Sequence, residues 1–295
     1  MTPTTSLAQL AAVYMARQTG TGTLAANSAR VELVRLRSLP GWHHPAAALD
    51  AQAVDAWTYT LHRFSPSSRR AYVGAVRRYL RWLALNGHTP TDLSSRLPKV
   101  REPRGVPRAL TAPAVASITN TPAGSRIAWL PAAVALMVGC GLRCVEVSRL
   151  DVDDYDPSSR TVHVVGKGGH QRVLPVPADT ARALHEWTRS HPAASGPLLV
   201  GVRSPQSPDG RLSAAWISKR TARLMASAGV HTAGDGRSAH SLRHTAASDV
   251  LDRCHDLRVV QQMLGHQSLA TTERYLRIAD LGRMRDAMEG RSYAA

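Results

Sequence analysis

Lysine is almost missing from this chain of 295 residues: the 37 Lys+Arg include only Lys99, Lys167 and Lys219. Phenylalanine is rarer still, at Phe64 alone, and aromatics make up 5%. An Arg-rich chain poor in Lys and Phe fits a GC-rich coding sequence, so the number of arginines is by itself weak evidence for phosphate binding. The three cysteines, Cys140, Cys144 and Cys254, are odd in number and lack C-x-x-C spacing. That excludes a disulfide framework and a zinc finger and points to a reducing compartment. Cys140 and Cys144, four apart in an apolar stretch, are expected to be small core residues. No apolar run approaches the ~18–20 residues of a membrane span. The N-terminus lacks a basic n-region and a cleavage site, so no secretory signal is expected. Acidic residues are also few, at 21 Asp+Glu, and the formal charge is +16. Such an excess attracts polyanions, nucleic acid first and an anionic membrane surface second.

The length suggests about two domains at ~100–200 residues each. Residues 1–98 read as four helices. These are Leu7 to Met15, Ala25 to Leu36, a third capped by Asp50 and running through Ala56 to Leu61, and Arg69 to Leu85, started by Ser65-Pro66-Ser67-Ser68 and ended by Gly87. The fourth carries an apolar stripe of Tyr72, Val73, Val76, Tyr79, Leu80 and Leu83. Arg69, Arg70, Arg77, Arg78 and Arg81 ride on its other faces, either as a solvated surface or along DNA phosphates. Residues 99–108 hold Lys99, Arg101 and Arg104 among prolines and read as a basic linker. Basic residues outnumber acidic ones on both sides of it, which suggests a clamp around a duplex and disfavours a membrane anchor.

Residues 109–295 change character. Helices are expected over Ile127–Val138, Arg143–Leu150, Asp179–Arg189, Ala214–Ala228, Ser241–Asp252 and Leu257–Leu264. Between the second and third of these, Thr161–Val165 and Gln171–Val176 flank Gly166-Lys167-Gly168-Gly169 as a β-hairpin. His170 and Arg172 on that hairpin either touch DNA or face solvent.

Four stretches stand out: Gly141-Leu142-Arg143 with Glu146, the hairpin Lys167, His240-Ser241-Leu242-Arg243-His244, and Leu264-Gly265-His266 followed by Thr271-Thr272-Glu273-Arg274-Tyr275. His240 and Arg243 are three apart at a helix start and share a face, where free amides also favour a phosphate. Gly265 is the expected residue just past the end of a helix capped by Asp256, which fixes His266 in the turn. In this order the set resembles the tyrosine recombinase, or phage integrase, family, and the resemblance covers nearly the whole chain.

The resemblance implies a mostly α fold with a small antiparallel β-sheet. Its N-terminal part would be a four-helix SAM-like core-binding domain, followed by an α+β catalytic domain. It implies a site-specific DNA recombinase, of the simple-integrase or Xer-like kind without an arm-binding domain. Arg143, Arg243, His240 and His266 would hold the scissile phosphate, since planar guanidinium donors match its oxygens and clamp the charge built in the transition state. Lys167 would protonate the 5′-oxygen leaving group, which lysine can do and arginine cannot. Tyr275 would attack to leave a covalent 3′-phosphotyrosine. Glu146, one turn after Arg143, would orient it. No metal, cofactor or nucleotide is expected, because the phosphodiester energy stays in the covalent bond and no G-x-x-x-x-G-K-[ST] loop is present.

The expected partners are double-stranded DNA core sites and three further copies, linked through the tail 277–295, whose Leu281, Met284, Ala287 and Met288 share one side of a short helix. The expected location is the cytoplasm, on the nucleoid. Integration or excision of a mobile element leads, with Xer-type chromosome or plasmid dimer resolution as the alternative. A type IB topoisomerase shares the chemistry. A DNA-binding regulator without catalysis has no need of Tyr275 and Lys167 together. A zinc hydrolase is prompted by His240 and His244, but position 241 is Ser rather than the Glu of H-E-x-x-H.

Overall fold

The computed structural model describes residues 5–100, 109–122, 127–190, 194–205, 207–232, 235 and 237–266. The chain divides into two compact units, Met1–Arg104 and Gly105–Ala295.

The first unit is built on α1 (Leu7–Gly20), α2 (Ala26–Leu36), α3 (Ala51–Thr60) and α4 (Pro66–Leu85), with short 3-10 turns before α3, before α4 and after α4. Local chemistry sets their starts. Ser6 and Gln9 form a reciprocal capping box on α1, Asp50 accepts from the Ala53 amide, and Ser65 accepts from the Ser68 amide ahead of Pro66 in the first turn. Helix α1 runs past Met15, because Ala16, Arg17 and Gln18 are good helix formers although they add nothing to the apolar stripe. The stripe of α4 is the centre of the core, with Val73, Val76, Tyr79, Leu80 and Leu83 buried against Leu10, Tyr14 and Leu36. The Tyr79 hydroxyl donates to the Leu7 carbonyl at 2.6 Å and so ties α4 to α1.

The second unit contains α5 (Ala112–Asn120), α6 (Leu130–Gly139), α7 (Cys144–Arg149), β1 (Tyr155–Asp156), β2 (Thr161–Val165), β3 (Gln171–Pro175), α8 (Ala178–Thr188), α9 (Ala214–Ser227), α10 (Ala239–Cys254) and α11 (Leu257–Leu264). The strands form an antiparallel sheet in the order β1-β2-β3, with Val162 opposite Leu174 and Val164 opposite Arg172. Val162, Val164 and Leu174 face the core, while the alternate positions are exposed. Helix α6 is apolar all round and therefore central. It starts at Leu130 rather than Ile127, with Pro131 where its missing N–H costs nothing. Helix α5 and strand β1 have no counterpart in the sequence reading. The first buries only Ile118 and shows no apolar period; the second is two residues long. Cys140 is in the core and burial pushes its thiol up to about 12. No described helix is long and apolar enough to cross a membrane.

Candidate active site

Three local devices bring the motif residues together. Gly141, at φ +66°, turns the chain after α6 so that Leu142 enters the core and Arg143 becomes the N-cap residue of α7. Ser238 caps α10 and places His240 and Arg243 in its first turns. Gly265, at φ +62°, ends α11 in the left-handed conformation that glycine adopts without strain. His266 follows at once, with its amide on the Gln261 carbonyl and its own carbonyl on the Gln261 side chain.

Glu146 is the hub, with its side chain 2% exposed. Its Oε1 accepts from Arg143 Nη1 at 2.9 Å and Arg172 Nη1 at 3.2 Å. Its Oε2 accepts from the Arg143 amide at 2.8 Å, Arg172 Nη2 at 3.0 Å and Arg243 Nη1 at 3.4 Å. Burial pushes this carboxyl's pKa up, but the Arg172 hydrogen bond, the Arg143 amide and the Arg172 and Arg243 charges outweigh it and hold the group below its ordinary value. Three guanidinium groups against one carboxylate leave the cluster net positive.

The same arginines close the end of α11. Met263 O accepts from Arg172 Nε at 3.0 Å, and Leu264 O accepts from Arg243 Nη2 at 2.6 Å and Arg143 Nη1 at 3.5 Å. These carbonyls lack helical partners and carry the negative end of the helix dipole, which cations stabilise. Arg243 also donates to the Gly141 carbonyl and lies 3.3 Å from His266 Nε2. The three differ in access: the side chains of Arg143, Arg172 and Arg243 are 32%, 12% and 2% exposed. Arg143 is thus the one open to a ligand, backed by a buried layer in which its field is little screened.

The structure brings together Arg143, Glu146, Arg243 and His266. His240 is exposed at the start of α10, its ring edge-on to His244 with centroids 4.8 Å apart. Lys167 opens the 3-10 turn Lys167–Gly169 between β2 and β3. Tyr275, the tail 277–295, Arg101 and Arg104 lie outside the described residues.

One expectation is corrected. Arg172 does not project into solvent: its side chain is 12% exposed and points inward to Glu146 and the end of α11. Strand parity carried the signal, because Arg172 shares a face with the core residue Leu174. In the first unit, the candidate arginines of α4 divide their roles. Arg69 donates to the His62 and Phe64 carbonyls, Arg77 to those of Leu97 and Pro98, and Arg78 to the buried Glu32. Arg70, Arg77, Arg78 and Lys99 nevertheless border one cleft of about 560 Å³, together with Arg35, which the sequence reading missed. His170 itself is exposed beside the hairpin turn.

A Cβ on Gly141 would stand 2.6 Å from Met263 Cε and 3.2 Å from Leu264 Cδ2. Gly141→Ala is therefore expected to cost about 1–3 kcal/mol through backbone strain and overpacking against α11. A thermal melt checks this, and an unchanged Tm would contradict the close approach.

With this geometry in hand, similarity to known proteins places the chain. The sequence profile of the phage integrase family matches residues 108–281. The tyrosine recombinase XerC of Shewanella amazonensis is 30% identical over 271 residues, 89% of this chain and 88% of that protein. The XerC of Xanthomonas campestris pv. campestris is 31% identical over 271 residues, covering 87% and 81%. A solved lambda integrase dimer bound to a COC′ core site is similar with a TM-score of 0.71 at 18% identity, covering 90% of this chain and 97% of that one. XerH bound to palindromic difH substrate gives 0.68 at 19% identity, covering 88% and 78%. The mostly helical architecture with its small antiparallel sheet is that of the tyrosine recombinases. The chain belongs to the phage integrase family.

Proposed function

We propose that this protein cuts and rejoins duplex DNA at specific core sites through a covalent 3′-phosphotyrosine and a Holliday junction. The Tyr275 phenol attacks the scissile phosphorus and the bond to the 5′-oxygen breaks. Lys167 supplies the proton with which that oxygen leaves as a hydroxyl, and the reverse step rejoins the strand. Arg143 holds the phosphate from the open side, Arg243 from its buried position, and His240 and His266 complete the clamp. Arg70, Arg77, Arg78 and Lys99 offer backbone phosphate contacts in the first unit, with Arg69, Arg101, Arg104 and His170 as further contacts. The observation that carries this reading is the buried Glu146 holding three arginines against the end of α11, next to His266.

Integration and excision of a mobile element is one biological use. Xer-type dimer resolution is the other, favoured by relatives named XerC that match over more than four-fifths of their length. The test is to select a core site from a randomised duplex pool, nick it beside the scissile phosphate, and trap the adduct. A peptide carrying the phosphate on Tyr275 supports the reading, and absence of any adduct overturns it.

The working form is a homotetramer on two sites, linked by exchange of the tail 277–295. Truncation after Leu276 is accordingly expected to abolish recombination of paired sites while leaving gel-shift affinity for a single site nearly intact. Equal loss of both would contradict exchange between protomers.

A further inference from the structure

Arg172 has no part in the chemistry proposed above, yet it is the member of the cluster that comes from the hairpin. It lies on β3, opposite Val164 of β2, across a turn that begins with Gly166 and Lys167. The turn is closed by the Gly166 amide donating to the His170 carbonyl at 2.7 Å. From β3 the Arg172 side chain reaches both Glu146 oxygens and the Met263 carbonyl. One guanidinium therefore joins the hairpin, α7 and the end of α11.

Its surroundings are more specific than a salt bridge requires. A Cβ built on Gly166 would lie 3.5 Å from Arg172 Nη1 and 3.8 Å from Glu146 Oε1. A Cβ built on Gly265 would lie 3.0 Å from the same Nη1 and 3.3 Å from the guanidinium carbon. The group is thus packed against both glycines. Gly166 immediately precedes Lys167, and Gly265 immediately precedes His266.

We infer that Arg172 is a positioning residue: its guanidinium, wedged between the glycines before Lys167 and His266, sets where the hairpin holds Lys167 relative to the phosphate-binding cluster. The inference rests on the recombinase chemistry proposed above, with Lys167 as the proton donor. A planar fork fits this place because it makes parallel hydrogen bonds to one carboxylate and still donates Nε–H to a carbonyl. Lysine supplies the charge without the plane or the second arm. Proton transfer in the transition state requires hydrogen-bond reach, so a small displacement of the hairpin backbone is read mainly in the step that protonates the leaving oxygen.

The test is single-turnover cleavage of the nicked core-site duplex in two forms. One has the ordinary 5′-oxygen at the scissile position. The other has sulfur there, which leaves as a thiolate and needs no proton. Arg172→Gln is expected to slow cleavage of the oxygen substrate by about 100-fold, the scale of a general-acid contribution. On the sulfur substrate it is expected to stay within about threefold of the parent protein, with DNA affinity little changed. Arg172→Lys, which keeps one charged donor, should fall between the two and carries the same comparison if the Gln variant does not fold. Equal slowing on both substrates would show a general structural brace and overturn the inference, as would an unchanged rate on oxygen. An unsubstituted protein that forms no adduct on either substrate would instead remove the underlying recombinase reading, and this inference with it.

Discussion

Replacing Glu146 with alanine is expected to destabilise the second unit by about 3–5 kcal/mol, the cost of removing one partner from a buried ion pair. The carboxylate is the counter-ion that Arg143, Arg172 and Arg243 share. Without it, Arg243 keeps its carbonyl partners at Gly141 and Leu264 and Arg172 keeps Met263, but their charges lose the buried carboxylate between them. At that cost the Tm should fall by roughly 10 °C for a unit of this size. Glu146→Gln keeps the shape and an acceptor, so a smaller loss is expected from it, and the difference between the variants measures what the charge contributes. A Tm within about 2 °C of the parent for the alanine variant would refute the hub.

The same carboxyl gives the parent protein a pH signature. Its folded pKa lies below the unfolded value of about 4.3. Its stabilisation is therefore complete above that value and is lost as the pH falls through the folded pKa. Glu146→Gln should flatten this acid limb of the stability profile.

Much of this arrangement is legible in the sequence wherever the cause is local. Asp50, Ser65 and Asp256 cap the helices their positions suggest, Gly265 ends α11, and the hairpin flanks its glycine-rich turn. The caps rest on bonds between residues two to four apart, and the hairpin pairs residues six to fourteen apart. The hub is different in kind. Glu146 meets Arg172 across 26 positions and Arg243 across 97, and Arg143 meets the Leu264 carbonyl across 121. The order of motifs shows that such residues belong together but not which donor meets which acceptor. Arg172 illustrates the gap. Its strand parity pointed inward, but its charge suggested the surface, and only a buried carboxylate from another element reconciles the two. Helix α5 was missed for the opposite reason. Its capping Thr111 and first-turn Pro113 are ordinary start signals, but the single buried residue Ile118 leaves no stripe to read.

Replacing Tyr275 with phenylalanine is expected to abolish the covalent adduct, with strand cleavage reduced at least about 10⁴-fold, the scale of removing a nucleophile. The change deletes one oxygen and keeps the ring, so folding and site binding should persist, which a thermal melt and a gel shift check. Four of the described tyrosines are poor substitutes. Tyr14 and Tyr79 are buried with ring centroids 5.4 Å apart, and Tyr72 stacks on Phe64 at 4.7 Å. Burial raises the Tyr155 phenol's pKa and so disfavours the phenolate that would attack. Lys167→Ala offers a calibrated contrast. Loss of a proton donor is expected to slow cleavage by about 10²–10³-fold and to be relieved by sulfur at the 5′ position, whereas no leaving group rescues a missing nucleophile. If Tyr275→Phe still formed adduct, or if sulfur restored its cleavage, the bond to phosphorus would come from another residue and the assignment of Tyr275 would fall.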